Sequence, residues 1–348
     1  MKRKTILTIT ILLLAVMFYP GTGRTASPLP SWQEGPARTR IIAFVNTVCD
    51  RQSPDYVKPA DRIAVFDNDG TMWTEKPLYA QLLFVFGHIH ELAPQHPEWR
   101  GQQPFKAVLE NDRKTLSRYG NRGIFQLLAA SSGTDLDAYR ASVQKWAARY
   151  RHPRFQQPLA GLVYQPMREL LSYLEENGFT VFIVSGGSVD FMRTLLPELY
   201  GIPSWRIIGT YVKTDFSNGN IVRRPQIAFI DNAAGKPMAI YRQTGKRPIL
   251  ACGNSDGDLE MLQYAAAGPG RNLSILIHHT DQQREYAYDR HSKVGTLDRG
   301  LDYARSHDWL VVDMKNDWKK IFAANRRPGK LPGQVPENQE PAPAKSAK

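Results

Sequence analysis

Two cysteines, Cys49 and Cys252, are all that the 348 residues contain, which excludes a disulfide-stapled scaffold. Cys252 lies in the apolar run PILACG and reads as a small buried side chain, although an exported chain would permit a Cys49 to Cys252 bridge. Long apolar runs are just as scarce. The one near the N-terminus, Ile6 to Phe18, is shorter than the ~20 residues a membrane-spanning helix needs, and no second run approaches that length. There is no internal repeat, and no stacking-aromatic motif of an RNA binder accompanies the formal charge of +12. With 42% hydrophobic and 22% charged residues, the chain is neither disordered nor fibrous. Its length suits one large core carrying an insertion.

The N-terminus has a definite layout. Lys2, Arg3 and Lys4 precede the apolar run, and Pro20, Gly21 and small residues follow it, which is the plan of a secretory signal peptide over residues 1–26. A retained anchor is the alternative; no Cys follows the run, so lipid attachment is not expected. Cleavage would place the mature chain beyond the inner membrane, in the periplasm, without stable membrane association. It would also remove Lys2, Arg3, Lys4 and Arg24 but no acid, lowering the charge from +12 to about +8. The remaining Lys and Arg are scattered, which reads as a solvated basic surface and not as a nucleic-acid interface.

Ile41, Phe44, Val45 and Val48 recur at helical spacing, and the period changes at Ile63 to Phe66, a short apolar run bounded by polar residues, as in a strand buried on both faces. Helices are expected at 78–92, 104–118, 121–131 and 135–150, the last capped by Thr134, with breaks at Pro94, Pro97 and Gly120. Helix and strand then alternate. Met167, Leu170, Leu171 and Leu174 share a helix face that Gly178 ends, and TVFIVSGG is the next buried strand. Further strands are expected at 206–212, 220–223, 226–230, 248–252, 273–277 and 309–312, with Asn218-Gly219 as a hairpin turn. The Pro-rich end, 326–348, reads as a disordered tail.

Four segments stand at predicted strand ends, where open α/β sheets bind ligands. Asp67-Asn68-Asp69-Gly70-Thr71 follows the first strand. Two carboxylates one residue apart can divide labour, Asp67 as nucleophile and Asp69 as general acid and then base. A polar turn or a calcium loop would show the same five residues. Ser185, beside Gly186 and Gly187, can present a hydroxyl and backbone N–H groups to a phosphoryl oxygen. Lys236, just before a helix with Pro237 at its first position, can neutralise charge, though a lone lysine is usually a solvated surface residue. The oxygen-rich stretch from Gly253 to Leu262 can complete the all-oxygen shell that Mg²⁺ prefers, or simply cap a helix.

In this order and these strand contexts, the four segments resemble the haloacid dehalogenase-like superfamily, and within it the phosphoserine phosphatase-like branch. The resemblance implies an α/β fold: a Rossmann-like parallel-sheet core, residues 33–77 and 159–325, with a helical cap, residues 78–158, inserted after the first core strand. It implies a phosphatase acting on a small phosphorylated metabolite through an aspartyl-phosphate on Asp67, with Asp69, Ser185 and Lys236 as catalytic partners. Mg²⁺ would be held by Asp67, Asp69, Asn254 and Asp258, and Thr71, Glu75, Gly186 and Gly187 would meet the substrate. Asp69 with Gly70-Thr71 favours phosphoryl over dehalogenase chemistry. Two departures stand out. The final motif usually opens Gly-Asp, whereas this chain has Gly253-Asn254, with Asp256 as an extra carboxylate that could replace the charge. Glu75 stands near but not at the place where phosphoserine phosphatases carry a substrate-binding glutamate. Trp73, Tyr79 and Phe84 could with Glu75 hold a cationic head group such as choline, or merely fill the cap core, and His88 and His90 lack partners for a zinc site. A phosphate-ligand binder without turnover, and a phosphocholine- or phosphoserine-type phosphatase, are the alternatives.

Overall fold

The switch of period at Ile63 marks strand β1 (Ile63–Phe66), in which every residue is buried. Ile63 and Val65 enter one apolar cluster and Ala64 and Phe66 the other, so both faces are covered and polar alternation is absent. The computed structural model describes residues 28–131 and 135–323; the expected leader, Thr134 and the expected tail lie outside them. The other strands are β2 (Thr180–Ser188), β3 (Ile207–Ser217), β4 (Asn220–Phe229), β5 (Leu250–Gly253), β6 (Leu273–Thr280), β7 (Ala287–Tyr288) and β8 (Leu310–Asp313). Their order is β4-β3-β2-β1-β5-β6-β7, with β8 also pairing β6. The six strands from β3 through β6 together with β8 run parallel, and β4 and β7 are antiparallel additions at the two ends. This is the parallel α/β sheet the sequence leads one to expect.

Phe66 pairs with Ile183 on one side and Cys252 on the other. Chain order therefore reverses at β1, and a crevice opens beyond the carboxyl ends of β1, β2 and β5. Helix α1 (Pro36–Cys49) buries Ile41, Phe44, Val45 and Val48 against the sheet.

Between β1 and β2 come α2 (Ala80–Leu92), α3 (Phe105–Leu109), α4 (Arg113–Ala130) and α5 (Leu136–Arg149). The expected boundaries shift here. The helix expected at 104–118 stops at Leu109, because Asn111 takes a left-handed φ of 56° and Asp112 caps a new start by accepting from the Thr115 N–H. That new helix runs through residue 120 with a kink, Gly120 having φ 49° and ψ −148°. Asp135, not Thr134, caps α5, accepting from the Asp137 and Ala138 N–H groups.

After the insertion, α6 (Gln165–Glu176) buries Met167, Leu170, Leu171 and Leu174, and α7 (Val189–Tyr200) follows β2. The other face is covered by α8 (Gly235–Thr244), α9 (Leu259–Ala266) and α10 (Arg299–Ser306), ahead of the short α11 (Met314–Asp317). β3 and β4 form a longer hairpin than expected. Asn218 and Gly219 have φ of 51° and 81°, as the tightest hairpin turns require, and Pro225 is tolerated because β4 is an edge strand. From β4, buried Arg223 donates to Asp190 at 2.8 Å and lies 3.6 Å over the Tyr139 ring of α5, tying hairpin to insertion. Cys49 and Cys252 are both free thiols. Among the described residues no helix is long and apolar enough to cross a membrane.

Candidate active site

The strand ends around β1 enclose a cavity of about 280 Å³. Asp67 enters it first, fixed by its own N–H, which donates to the Cys252 carbonyl at 2.9 Å and carries the β1–β5 ladder one step further. Gly70, at φ 79°, then turns the chain. A Cβ there would lie 2.1 Å from the Asn254 amide nitrogen and 2.6 Å from a Glu75 oxygen, so only glycine fits. Asp69 is half-buried and accepts from the Trp73 indole at 2.8 Å.

Lys236 belongs to the first turn of α8 and is 1% exposed. Gly235 allows that approach, since a Cβ would meet the Ile230 carbonyl at 2.2 Å. The ammonium donates to Asp67 at 2.6 Å, to the Val184 carbonyl at 3.0 Å and to Asp258 Oδ1. Asp258 Oδ2 in turn accepts from the Asn254 N–H, the Ser255 N–H and the Ser255 hydroxyl. Both oxygens of Asp258 are thus engaged. It holds Lys236 and its own turn, and it lines the cavity beside Asp67.

Electrostatics follow from this packing. Burial, then the charge of Asp258, push Asp67 up to about 8 against the pull of Lys236. Burial also raises Asp69, the Trp73 hydrogen bond opposing it. Burial works against the Lys236 ammonium, but Asp258, Asp67 and Asp231 more than offset it and hold it above the usual lysine range. Asp231 is fully buried and is raised to about 7 by burial, against the charge of Lys236 and the Ser185 backbone N–H.

Ser185, Gly186 and Gly187 line the cavity at the end of β2. The Gly187 N–H donates to the Ser185 hydroxyl at 3.2 Å, and Gln81 of α2 accepts from the Ser188 N–H at 2.7 Å, so the insertion fixes this loop. Thr71 is fully buried and off the cavity wall, which corrects its expected role as a substrate contact: its hydroxyl donates to Asn254 Oδ1 at 3.0 Å. Asp256 is committed to the start of α10, where it accepts from the Asp298, Arg299 and Gly300 N–H groups. The aromatic residues do not form a cage. Tyr79 lines the cavity, whereas Phe84 stacks on His88 and packs against Phe191 of α7, and Trp73 serves Asp69.

Carboxylate and carbonyl oxygens crowded around one buried ammonium are the donor chemistry of a hard divalent cation. Asp67 and Asp69, both on the cavity wall, offer the oxygen chemistry that would hold Mg²⁺. Among the described residues no three Asp, Glu, His or Cys side chains cluster as a metal cage, so amide, backbone, water and substrate oxygens would complete the shell, as Mg²⁺ commonly accepts. Sequence reasoning missed Gln81, Asn232, Lys293 and Tyr288. Asn232, in DNAAGK, lines the cavity with its side-chain oxygen between Gly186 and Gly257, where added Cβ atoms would lie 3.7 Å and 2.8 Å away; its place three residues before Gly235 was the available signal. It also missed His279, which bonds the Gly70 carbonyl at 2.7 Å and pairs with buried Glu285.

The haloacid dehalogenase-like hydrolase family model matches residues 64–263, over half of the chain. A search of curated proteins finds no match. Among solved structures, the chain is similar to a conserved protein of unknown function from Anaerococcus prevotii DSM 20548, at 17% identity, covering 79% of this chain and 90% of that one with a TM-score of 0.49. A protein of unknown function from Bordetella pertussis Tohama I gives 14% identity, 73% and 99% coverage and a TM-score of 0.47. A phosphoserine phosphohydrolase-like protein from Francisella tularensis subsp. tularensis SCHU S4 gives 15%, 70% and 98%, and 0.37.

Proposed function

Because the chain belongs to the haloacid dehalogenase-like hydrolase family, we propose that it hydrolyses a small phosphomonoester, with Asp67 as the nucleophile. The observation that carries this reading is the Lys236 ammonium, held 2.6 Å from the Asp67 carboxylate at a strand end beside Asp69. In the first step an Asp67 oxygen forms a bond to phosphorus while the ester P–O bond breaks. Asp69 protonates the leaving oxygen, a task suited to an acid whose pKa is raised. In the second step Asp69 takes a proton from water, the water oxygen attacks phosphorus, and phosphate leaves as the Asp67 carboxylate is restored. Lys236, Ser185 and the Gly186 and Gly187 backbone stand where they can meet the phosphoryl oxygens. When bound at the Asp67 and Asp69 oxygens, Mg²⁺ would supply positive charge to the transferring group and favour the ionised nucleophile.

Leu82, Ile124, Phe125 and Leu128 form the cap-side wall of the cavity, which favours an organic group that is partly apolar over a bare polar one. The basic and apolar N-terminal layout supports export, with the mature enzyme acting in the periplasm. Phosphate release from a generic aryl phosphate by residues 27–348, with Mg²⁺ and with chelator, is the test. The expected result is Mg²⁺-dependent turnover that Asp67→Asn reduces at least ~10³-fold. Asn254, which brings no charge, favours a second reading as a phosphate-ligand binder, and the absence of any turnover above background on a broad metabolite panel would support that reading instead.

A further inference from the structure

A divalent ion beside Asp67 would face few negative groups that are not already engaged. Asp258 uses both oxygens on Lys236 and its own turn, Asp256 caps α10, and Asp69 Oδ1 is taken by Trp73. Asn254 contributes only an amide, and its orientation is set: Oδ1 accepts from Thr71, and Nδ2 donates to Glu75 Oε1 at 2.8 Å. Glu75 is the remaining carboxylate on the cavity wall. It is 2% exposed and sits against the Gly70 turn, and its second hydrogen bond, from the Tyr288 hydroxyl at 2.7 Å, also falls on Oε1. Both hydrogen bonds thus fall on one oxygen.

We propose that Glu75 is a metal-site residue, supplying beside Asn254 the negative charge that a divalent cation at the Asp67 and Asp69 oxygens requires. The inference rests on the metal-dependent reading above and replaces the sequence-based expectation that Glu75 meets substrate. It also explains why an amide stands at 254. A carboxylate there would lie 2.8 Å from the Glu75 oxygen, and two buried carboxylates that close cannot both ionise without a cation between them. The site holds one acid across positions 75 and 254, and the amide donates to it.

The test is calorimetric titration of the mature protein with Mg²⁺ alone, together with the Mg²⁺-induced rise in melting temperature, in three variants. Glu75→Gln keeps an oxygen for the Asn254 and Tyr288 hydrogen bonds while removing the charge, and is expected to weaken Mg²⁺ binding by ~10–100-fold. The double variant Glu75→Gln, Asn254→Asp returns the charge from the other side and is expected to recover most of that loss. Asn254→Asp alone is expected to melt lower without Mg²⁺ and to regain stability with it. Wild-type binding with Glu75→Gln within twofold of it would overturn the role of Glu75 while leaving the phosphatase reading intact. No Mg²⁺ binding by the wild type would overturn both. A Glu75→Gln loss that the double variant fails to restore would reduce Glu75 to a packing role and likewise overturn the proposal.

Discussion

Lys236→Met is the most searching perturbation, because the ammonium is the single buried cation that the described residues place between two buried carboxylates. Its removal leaves Asp67 and Asp258 facing each other without the charge that now reaches both. Breaking a buried pair by removing one partner costs about 3–5 kcal/mol, which for a chain of this size is a fall in melting temperature of roughly 6–20 °C. The pH dependence is sharper than the magnitude. Asp67 is already raised from 3.8 to about 8, so it binds more protons folded than unfolded and loses stability as pH rises between those values. Without Lys236, Asp67 holds its proton to still higher pH. The gap between wild type and variant should therefore be smallest near pH 4, where Asp67 is protonated, and widen through pH 8. Urea unfolding at pH 4.5, 6 and 8 reads this directly, beside a loss of phosphatase activity of at least ~10²-fold. An equal difference at all three pH values, or one below ~1 kcal/mol at pH 8, would refute the buried ion-pair account.

Three other outcomes are expected. Asp231→Asn should stabilise the protein above pH 7, by up to about 4 kcal/mol in the limit of a full displacement from 3.8 to about 7, because the acid must ionise there while buried away from water; denaturant melts from pH 5 to 8 that run parallel for both proteins would contradict this. Glu285 is held below its usual range despite burial, chiefly by the His279 hydrogen bond and charge. Its contribution is present above the unfolded glutamate pKa and is lost as pH falls through the folded one, so Glu285→Gln should cost about 3–5 kcal/mol at pH 7 and progressively less below pH ~4 in thermal melts. Gly235→Ala, whose Cβ would meet the Ile230 carbonyl at 2.2 Å, should destabilise by about 1–3 kcal/mol and lower kcat more than it raises KM, since it displaces the turn that aims Lys236.

Where the sequence was legible and where it was not has a physical pattern. β1 showed itself because burial on both faces removes polar alternation, and the acids after it were therefore placed at a strand end. Lys236 was ambiguous: a lone lysine reads as surface, and nothing local signals that the Gly235 turn sends it under the sheet edge. The hairpin of β3 and β4 was read short because its outer half buries almost nothing, Phe216 being 76% exposed, so no period survives to mark it. The substrate assignment of Thr71 was displaced by a partner 183 residues along the chain, Asn254. The Glu75 contacts with Asn254 and Tyr288 span 179 and 213 residues, and no local spacing encodes them.

The account turns on phosphorus passing to Asp67, and acid quenching of the mature enzyme during turnover, followed by mass spectrometry of the peptide that carries Asp67, measures that transfer. A phosphoryl mass on Asp67 in the wild type, absent from Asp67→Asn, is the predicted result. Sustained phosphate release with Asp67 never modified, or an Asp67→Asn protein that turns over at the wild-type rate, would contradict it.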